Sequence, residues 1–489
     1  MASIISVLGW LSISSIIIIV IIVTQIFQQF PKSSSNTKTS NLPPGKTGWP
    51  LLGETLAYVF SPENFIFDRM KKYSPHVFKT SLAGEKTAVF CGPLANKFIF
   101  SNEGKLVKYW LPRSVSTPLS YRKTESNSPS GKPTHDLSYQ FLKVESIQHY
   151  VSMVDSMTRQ HLDKYWAPFL QVKAYNLAKE FTLALSCRIL VNCSIDDPNF
   201  DLQVRELTEP FFLLVQGILS VPLYFPGTPY YKAINGGKLV KERLVKIIKQ
   251  RKVEMEEKQE YDESKCQDLL GQLLVDSHKN GKFLNEEEIT SKIIGLMFAG
   301  FYPTSNTITF LINNLAQHPD IYDKVLQEQT EITKSKEPGE ALSWMDVQKM
   351  KYSWNVICET MRLTAPVPGN FREAITDFAY AGFDIPKGWK VHWSVCATHK
   401  NPDYFQNPET FDPSRFQGNG PAPYTFVPFG AGPRMCAGKE FARIQLLVFL
   451  HNLVTRFRFN KVNPTEKIIY NPDAIPIQGL PIYLKPHSC

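Results

Sequence analysis

The chain has 489 residues, 43% hydrophobic and 20% charged, a balance that allows one large core and excludes long disordered architecture. The formal charge of +9 comes from scattered Lys and Arg without a recognisable nucleic-acid module, so no nucleic-acid partner is expected. That excess suits an anionic membrane surface or an acidic protein partner, and equally a plain solvated face. The cysteines are dispersed, with neither zinc-type pairs nor a dense disulfide framework, which fits a reducing compartment.

From Met1 to Pro31 no residue is charged, and Ile16 to Val23 is entirely β-branched and apolar. This run is long enough to cross a bilayer once. It lacks the basic start and small-residue cleavage site of a removable signal. Lys32 and Lys38 follow it, so the positive-inside rule places the remainder in the cytoplasm. Residues 1–31 are therefore read as a membrane anchor, 32–50 as a polar linker and proline-rich hinge, and 51–489 as the functional body. The hinge, Leu42-Pro43-Pro44-Gly45 and then Gly48-Trp49-Pro50, is stiff because proline fixes its own backbone and biases the residue before it.

Beyond the hinge, apolar periodicity predicts helices over Val151 to Tyr165, Gly237 to Glu257, Asn285 to Ala316, Ser343 to Leu363 and Lys439 to Val454. Short β-rich pieces, Thr87 to Cys91 and Lys390 to Ser394, interrupt them. The expected class is a mainly α body with small β-sheets.

The third of these helices is centred on Ala299-Gly300-Phe301-Tyr302-Pro303-Thr304-Ser305. Pro303 has no N–H, so the Ala299 carbonyl loses its helical partner and a kink is expected. In the fourth, opened by Ser343 with Asp346 as an imperfect capping box, Glu359 and Arg362 share one face at i,i+3. Phe411-Asp412-Pro413-Ser414-Arg415-Phe416 comes next, and then Phe429-Gly430-Ala431-Gly432-Pro433-Arg434-Met435-Cys436-Ala437-Gly438. Glycines here let the backbone approach a flat macrocycle, and the helix that follows offers free amides to a cysteine sulfur. The segment reads as a haem-binding loop with Cys436 as the thiolate ligand, a donor that favours O–O cleavage. The competing reading, a structural thiol in a glycine turn, does not account for Phe, Gly, Arg and Cys in this register.

The loop resembles that of the cytochromes P-450, and the resemblance extends over nearly everything after Leu42. It implies the P-450 fold preceded by a single N-terminal transmembrane helix, and a haem b whose iron is ligated by Cys436. It further implies Arg434 and Arg372 on the propionates, Phe429 shielding the sulfur, and Gly430 and Gly438 shaping the loop. Ala299, Gly300 and Thr304 would border the oxygen site, and Glu359, Arg362 and Arg415 would form a structural lock. Implied partners are O2, NADPH-cytochrome P-450 reductase and the endoplasmic reticulum membrane, crossed once, with the catalytic domain facing the cytoplasm. Phe78 to Gly84, Phe225 to Pro229, Met350 to Val356 and Gly420 to Phe426 are similar to the plant terpenoid-oxidising branch that includes β-amyrin C-28 oxidases. By that likeness the substrate is a bulky apolar terpenoid, a triterpenoid first of all.

Two departures stand out. The family's distal helix carries small-Gly-x-acid-Thr, whereas here Tyr302 takes the acid's place and Pro303 the threonine's, leaving Thr304 about 100° round the helix. The early Trp-x-x-x-Arg is also missing: Trp110-Leu111-Pro112-Arg113 has another spacing, and Lys132 and His135, in a Ser/Pro/Gly-rich stretch, are the candidate substitutes. Three functions follow. The first is a monooxygenase, the second a haem-thiolate isomerase, dehydratase or rearrangement enzyme, and the third a tethered haem protein that binds a terpenoid.

Overall fold

The long helices form where apolar residues recur at helical spacing, and some open on a clear start signal. The structure, a computed structural model, describes residues 41–49, 52–119, 141–192, 200–218, 220–259, 261–262, 268–280, 286–471 and 473–487. The predicted anchor, Lys132 and His135 lie outside these. Among the described residues no helix is long and apolar enough to cross a membrane.

Val151–Tyr165 is helical as predicted, burying Val151, Val154, Thr158 and Leu162 along one stripe. The helix expected from Gly237 begins earlier, at Pro229, and runs to Lys258. Thr228 caps it, accepting from Tyr231 N at 3.2 Å, and Pro229 at the first position loses nothing by lacking an N–H. The predicted single helix from Ser343 to Leu363 is two, Trp344–Lys349 and Lys351–Leu363, broken where Met350 turns to ψ 58. The first has the Ser343–Asp346 capping box complete. The second takes its cap from another helix: Tyr352 N and Ser353 N donate to the Glu328 carboxylate at 2.7 and 2.9 Å. A carboxylate at a helix start meets both the orphan amides and the positive dipole end.

The main sheet orders its strands Val77–Leu82, Glu85–Phe90, Lys390–Ser394, Gly369–Ala374 and Val107–Tyr109. Its second and third members run parallel and the other neighbours antiparallel. The register sets Tyr109 opposite Arg372. The hinge is stitched to the first strand, with Lys79 N donating to Pro44 O at 2.8 Å. Smaller sheets join Gln171–Lys173, Pro481–Pro486 and Phe457–Lys461, and pair Ile468–Tyr470 with Ala474–Pro476.

Helix Glu286–Gln317 runs through Pro303 uninterrupted and packs along helix Ala174–Val191. Its Ile293, Met297, Ile308 and Leu311 share one core with Ile444, Leu447 and Leu450 of helix Lys439–Arg456. These two helices carry the site.

Four buried histidines make the fold acid-sensitive. Burial pushes His161 and His399 down to about 3, and His392 and His451 down to about 4. The unfolded chain, with histidine near 6.5, binds more protons between those limits, so stability falls as pH drops from about 6.5 towards 4. Among the described residues they outnumber the buried carboxyls raised by burial, Asp473 and Asp268, which act in the opposite sense over this window. The thermal midpoint of the holoprotein should decline steadily from pH 6.5 to 4.5, and a flat profile would contradict this.

Candidate active site

The cysteine loop is fixed by its own backbone. Cys436 N donates to Phe429 O at 2.9 Å and Gly430 N to Val427 O at 3.0 Å. Gly432 sits at φ +71, where a Cβ would stand 2.5 Å from Phe100 O. Gly432→Ala should therefore combine left-handed strain of about 1–3 kcal/mol with a backbone clash. Its measured consequence should be haem loss at lower urea than in wild type; equal retention would show that the loop has slack.

The Cys436 side chain is exposed to solvent, yet burial among protein atoms raises its thiol and the Gly438 N–H lowers it. A group both reachable and crowded lines an inner recess rather than the outer surface. Helix Lys439–Arg456 starts three residues on, capped at Gly438. Ala299 is likewise exposed in mid-helix, while Met297, Phe301 and Thr304 around it are buried. The helix thus opens along the stripe Gly295, Ala299, Pro303, the i,i+4 face. Pro303 stands on that face and Thr304 turns away into the core, 4% exposed. Gly300 faces helix Ala174–Val191, where a Cβ would lie 3.7 Å from Ser186 Oγ. Ser305 Oγ donates back to Tyr302 O at 3.1 Å.

The two candidate propionate arginines both approach one ring. Arg372 Cζ is 5.4 Å and Arg434 Cζ 6.0 Å from the Tyr109 centroid. Arg372 is already compensated, its Nε on buried Glu103 and its Nη1 on Phe371 O. The Arg434 Nε is buried without a hydrogen-bond partner. An unsatisfied guanidinium beside a recess with an accessible thiol fits a macrocycle that carries carboxylates and needs a sulfur ligand. Arg434 would hold such a carboxylate, with Arg372 beside it.

The lock is assembled as expected. Arg362 bonds both oxygens of Glu359, Nε at 2.7 Å and Nη2 at 2.8 Å, and both side chains are fully buried. Arg415 Nε stands 3.4 Å from Glu359 Oε1, an ion pair without hydrogen-bond alignment. Asp412 N donates to the same oxygen at 2.9 Å. Arg362 Nη1 also donates to His399 O at 2.8 Å, and Val427 N donates to His399 Nε2 at 2.9 Å. A continuous set of bonds therefore runs from the lock to the residue two before Phe429.

Glu103 and Tyr109 are not recognisable in the sequence as site residues. Only strand register and long-range packing bring them in.

The profile described as Cytochrome P450 matches residues 43–486. Similar proteins include a beta-amyrin 6-beta-monooxygenase of Solanum lycopersicum, 51% identical over 94% of this chain and 95% of that protein. A beta-amyrin 28-monooxygenase of Medicago truncatula is 50% identical over 92% of this chain and 93% of its own. Among solved structures, retinoic acid-bound cyanobacterial CYP120A1 superposes with a TM-score of 0.80 at 29% identity, covering 92% of this chain and all of that one.

Proposed function

The chain belongs to the cytochrome P450 family, and on that premise we propose that it oxidises a triterpenoid of the β-amyrin type. It is an oxidoreductase, a haem-thiolate monooxygenase that uses O2 and a redox partner. The reading is carried by one observation: relatives spanning almost the whole chain and attacking two different carbons share a single skeleton in their names. That likeness favours monooxygenation over the isomerase or dehydratase reading that Tyr302-Pro303 had opened.

When bound, the haem supplies oxygen activation, its thiolate ligand favouring O–O cleavage. The residues of the chain do the rest. Cys436 presents its sulfur from a loop whose backbone bonds fix it, with the Gly438 N–H stabilising its charge. Phe429 and Gly430 carry the turn, and Arg434 and Arg372 hold the propionates. Ala299 and Pro303 line the open face of the distal helix, with Gly300 and Thr304 flanking them and setting its shape.

Residues 1–31 anchor the protein in the endoplasmic reticulum membrane, and NADPH-cytochrome P450 reductase supplies its electrons. Trp49, Leu52, Leu56 and Phe60 beside the hinge are exposed, as are Leu223, Tyr224 and Phe225, and large exposed apolar side chains in such number suit apposition to a lipid surface. The test is co-expression with a plant reductase in cells making different triterpene and diterpene skeletons, with products identified by mass. Oxygenated β-amyrin-type product is expected. Absence of any oxygenated product, or turnover without oxygen and reductase, overturns the reading.

A further inference from the structure

Helix Glu286–Gln317 contains no Asp or Glu after Glu288, so its open turn at Ala299 to Pro303 has no acid of its own. One is brought to it from near the C-terminus. Asp473, just ahead of strand Ala474–Pro476, is only 6% exposed, and its Oδ1 has no hydrogen-bond partner. Tyr302, one turn before Asn306 on the same helix face, is its neighbour, and the phenol partly offsets the effect of burial on the carboxyl. One turn on, Asn306 Nδ2 donates to Ala474 O at 2.9 Å and fastens this segment to the helix, while its own Oδ1 is buried without a partner. The titratable groups that face Asp473 are phenols: Tyr302, Tyr175 of helix Ala174–Val191 and Tyr58 of helix Thr55–Phe60. Over the Tyr175 ring, at 4.1 Å, lies the half-buried Lys179 ammonium.

A buried carboxyl without a cation beside it is costly to ionise, and an apolar residue would pack there at no such cost. Such groups concentrate where protons are handled. Tyr302, the residue before Pro303, belongs both to the open turn Ala299 to Pro303 and to the face that meets the Asp473 segment. We propose that Asp473, acting through Tyr302, supplies protons to the open face of the distal helix in place of an acid on the helix itself. This rests on the monooxygenase reading, because reducing dioxygen to a hydroxylated product and water consumes protons. In the transfer the Tyr302 O–H bond breaks towards the open face as the Asp473 carboxyl proton moves to the Tyr302 oxygen. The Asp473 carboxylate left behind regains a proton from solvent. The two movements are concerted, since burial raises the Tyr302 phenol far above the usual tyrosine range. Burial also pushes Asp473 up to about 7, so the carboxyl still holds its proton near neutrality.

The experiment compares full-length, haem-loaded wild type, Asp473→Asn and Tyr302→Phe with reductase and a β-amyrin-type substrate. Each variant is near-isosteric and should keep the thiolate-type carbon monoxide spectrum and the substrate-binding spectral change. Product per NADPH should fall about a hundredfold or more, the lower end of what a positioned proton donor contributes, with hydrogen peroxide rising to match. Independently of turnover, infrared difference spectra should show a protonated carboxyl band that titrates near neutrality and is absent from Asp473→Asn. Variants as well coupled as wild type, or no such band, overturn the relay and leave the monooxygenase reading standing. A wild type that consumes no oxygen with any skeleton overturns both.

Discussion

Replacing Cys436 by serine is expected to abolish the thiolate-type carbon monoxide spectrum and lower oxidation by roughly a thousandfold or more, the scale on which removal of an essential group acts. Oxygen is smaller and far less polarisable than sulfur, so a serine would not supply the electron push of a thiolate, and that push is what the reaction draws on. The loss should be specific. Cys436 is exposed and contributes no core packing, and the bond from its backbone N to Phe429 O is indifferent to the side chain. Circular dichroism should therefore match wild type while the spectrum changes. A Cys436→Ser protein that kept the thiolate-type spectrum would refute the ligand assignment.

What could be read in advance, and what could not, divides along a physical line. Helix Val151–Tyr165 and strand Lys390–Ser394 were legible to the residue because periodicity reports which local face is buried. The cysteine loop was legible because its chemistry sits within ten neighbouring positions. The break at Met350 was not, since the amides it frees are capped by Glu328, a partner the local pattern does not contain. The compensation of Arg372 by Glu103 and the approach of Asp473 to Tyr302 were invisible for the same reason. Pro303 is a different case. Its local cost in a helix interior, about 3 kcal/mol, is real, but packing on both sides of it holds the helix through that point.

The second large effect is expected at the lock. Arg362→Met should destabilise the holoprotein by about 3–5 kcal/mol, because it leaves Glu359 buried with only the imperfectly aligned Arg415 as a counter-charge. Adding Glu359→Leu should restore part of that loss, since two apolar side chains cost less than one stranded carboxylate. Recovery must stay incomplete: the carbonyls of His399 and Thr410 and the N–H of Asp412 would all lose their partners. Arg362→Lys tests whether charge alone suffices. A lysine keeps the charge but not the fork that meets Glu359 with two parallel bonds while a third nitrogen reaches His399 O, so it should fall close to Arg362→Met. Because His399 passes the constraint to Val427 and the cysteine loop, haem should be released at a lower urea concentration than that at which helicity is lost. Haem retention equal to wild type in Arg362→Lys would mean that the lock acts as a charge pair only and does not set the loop.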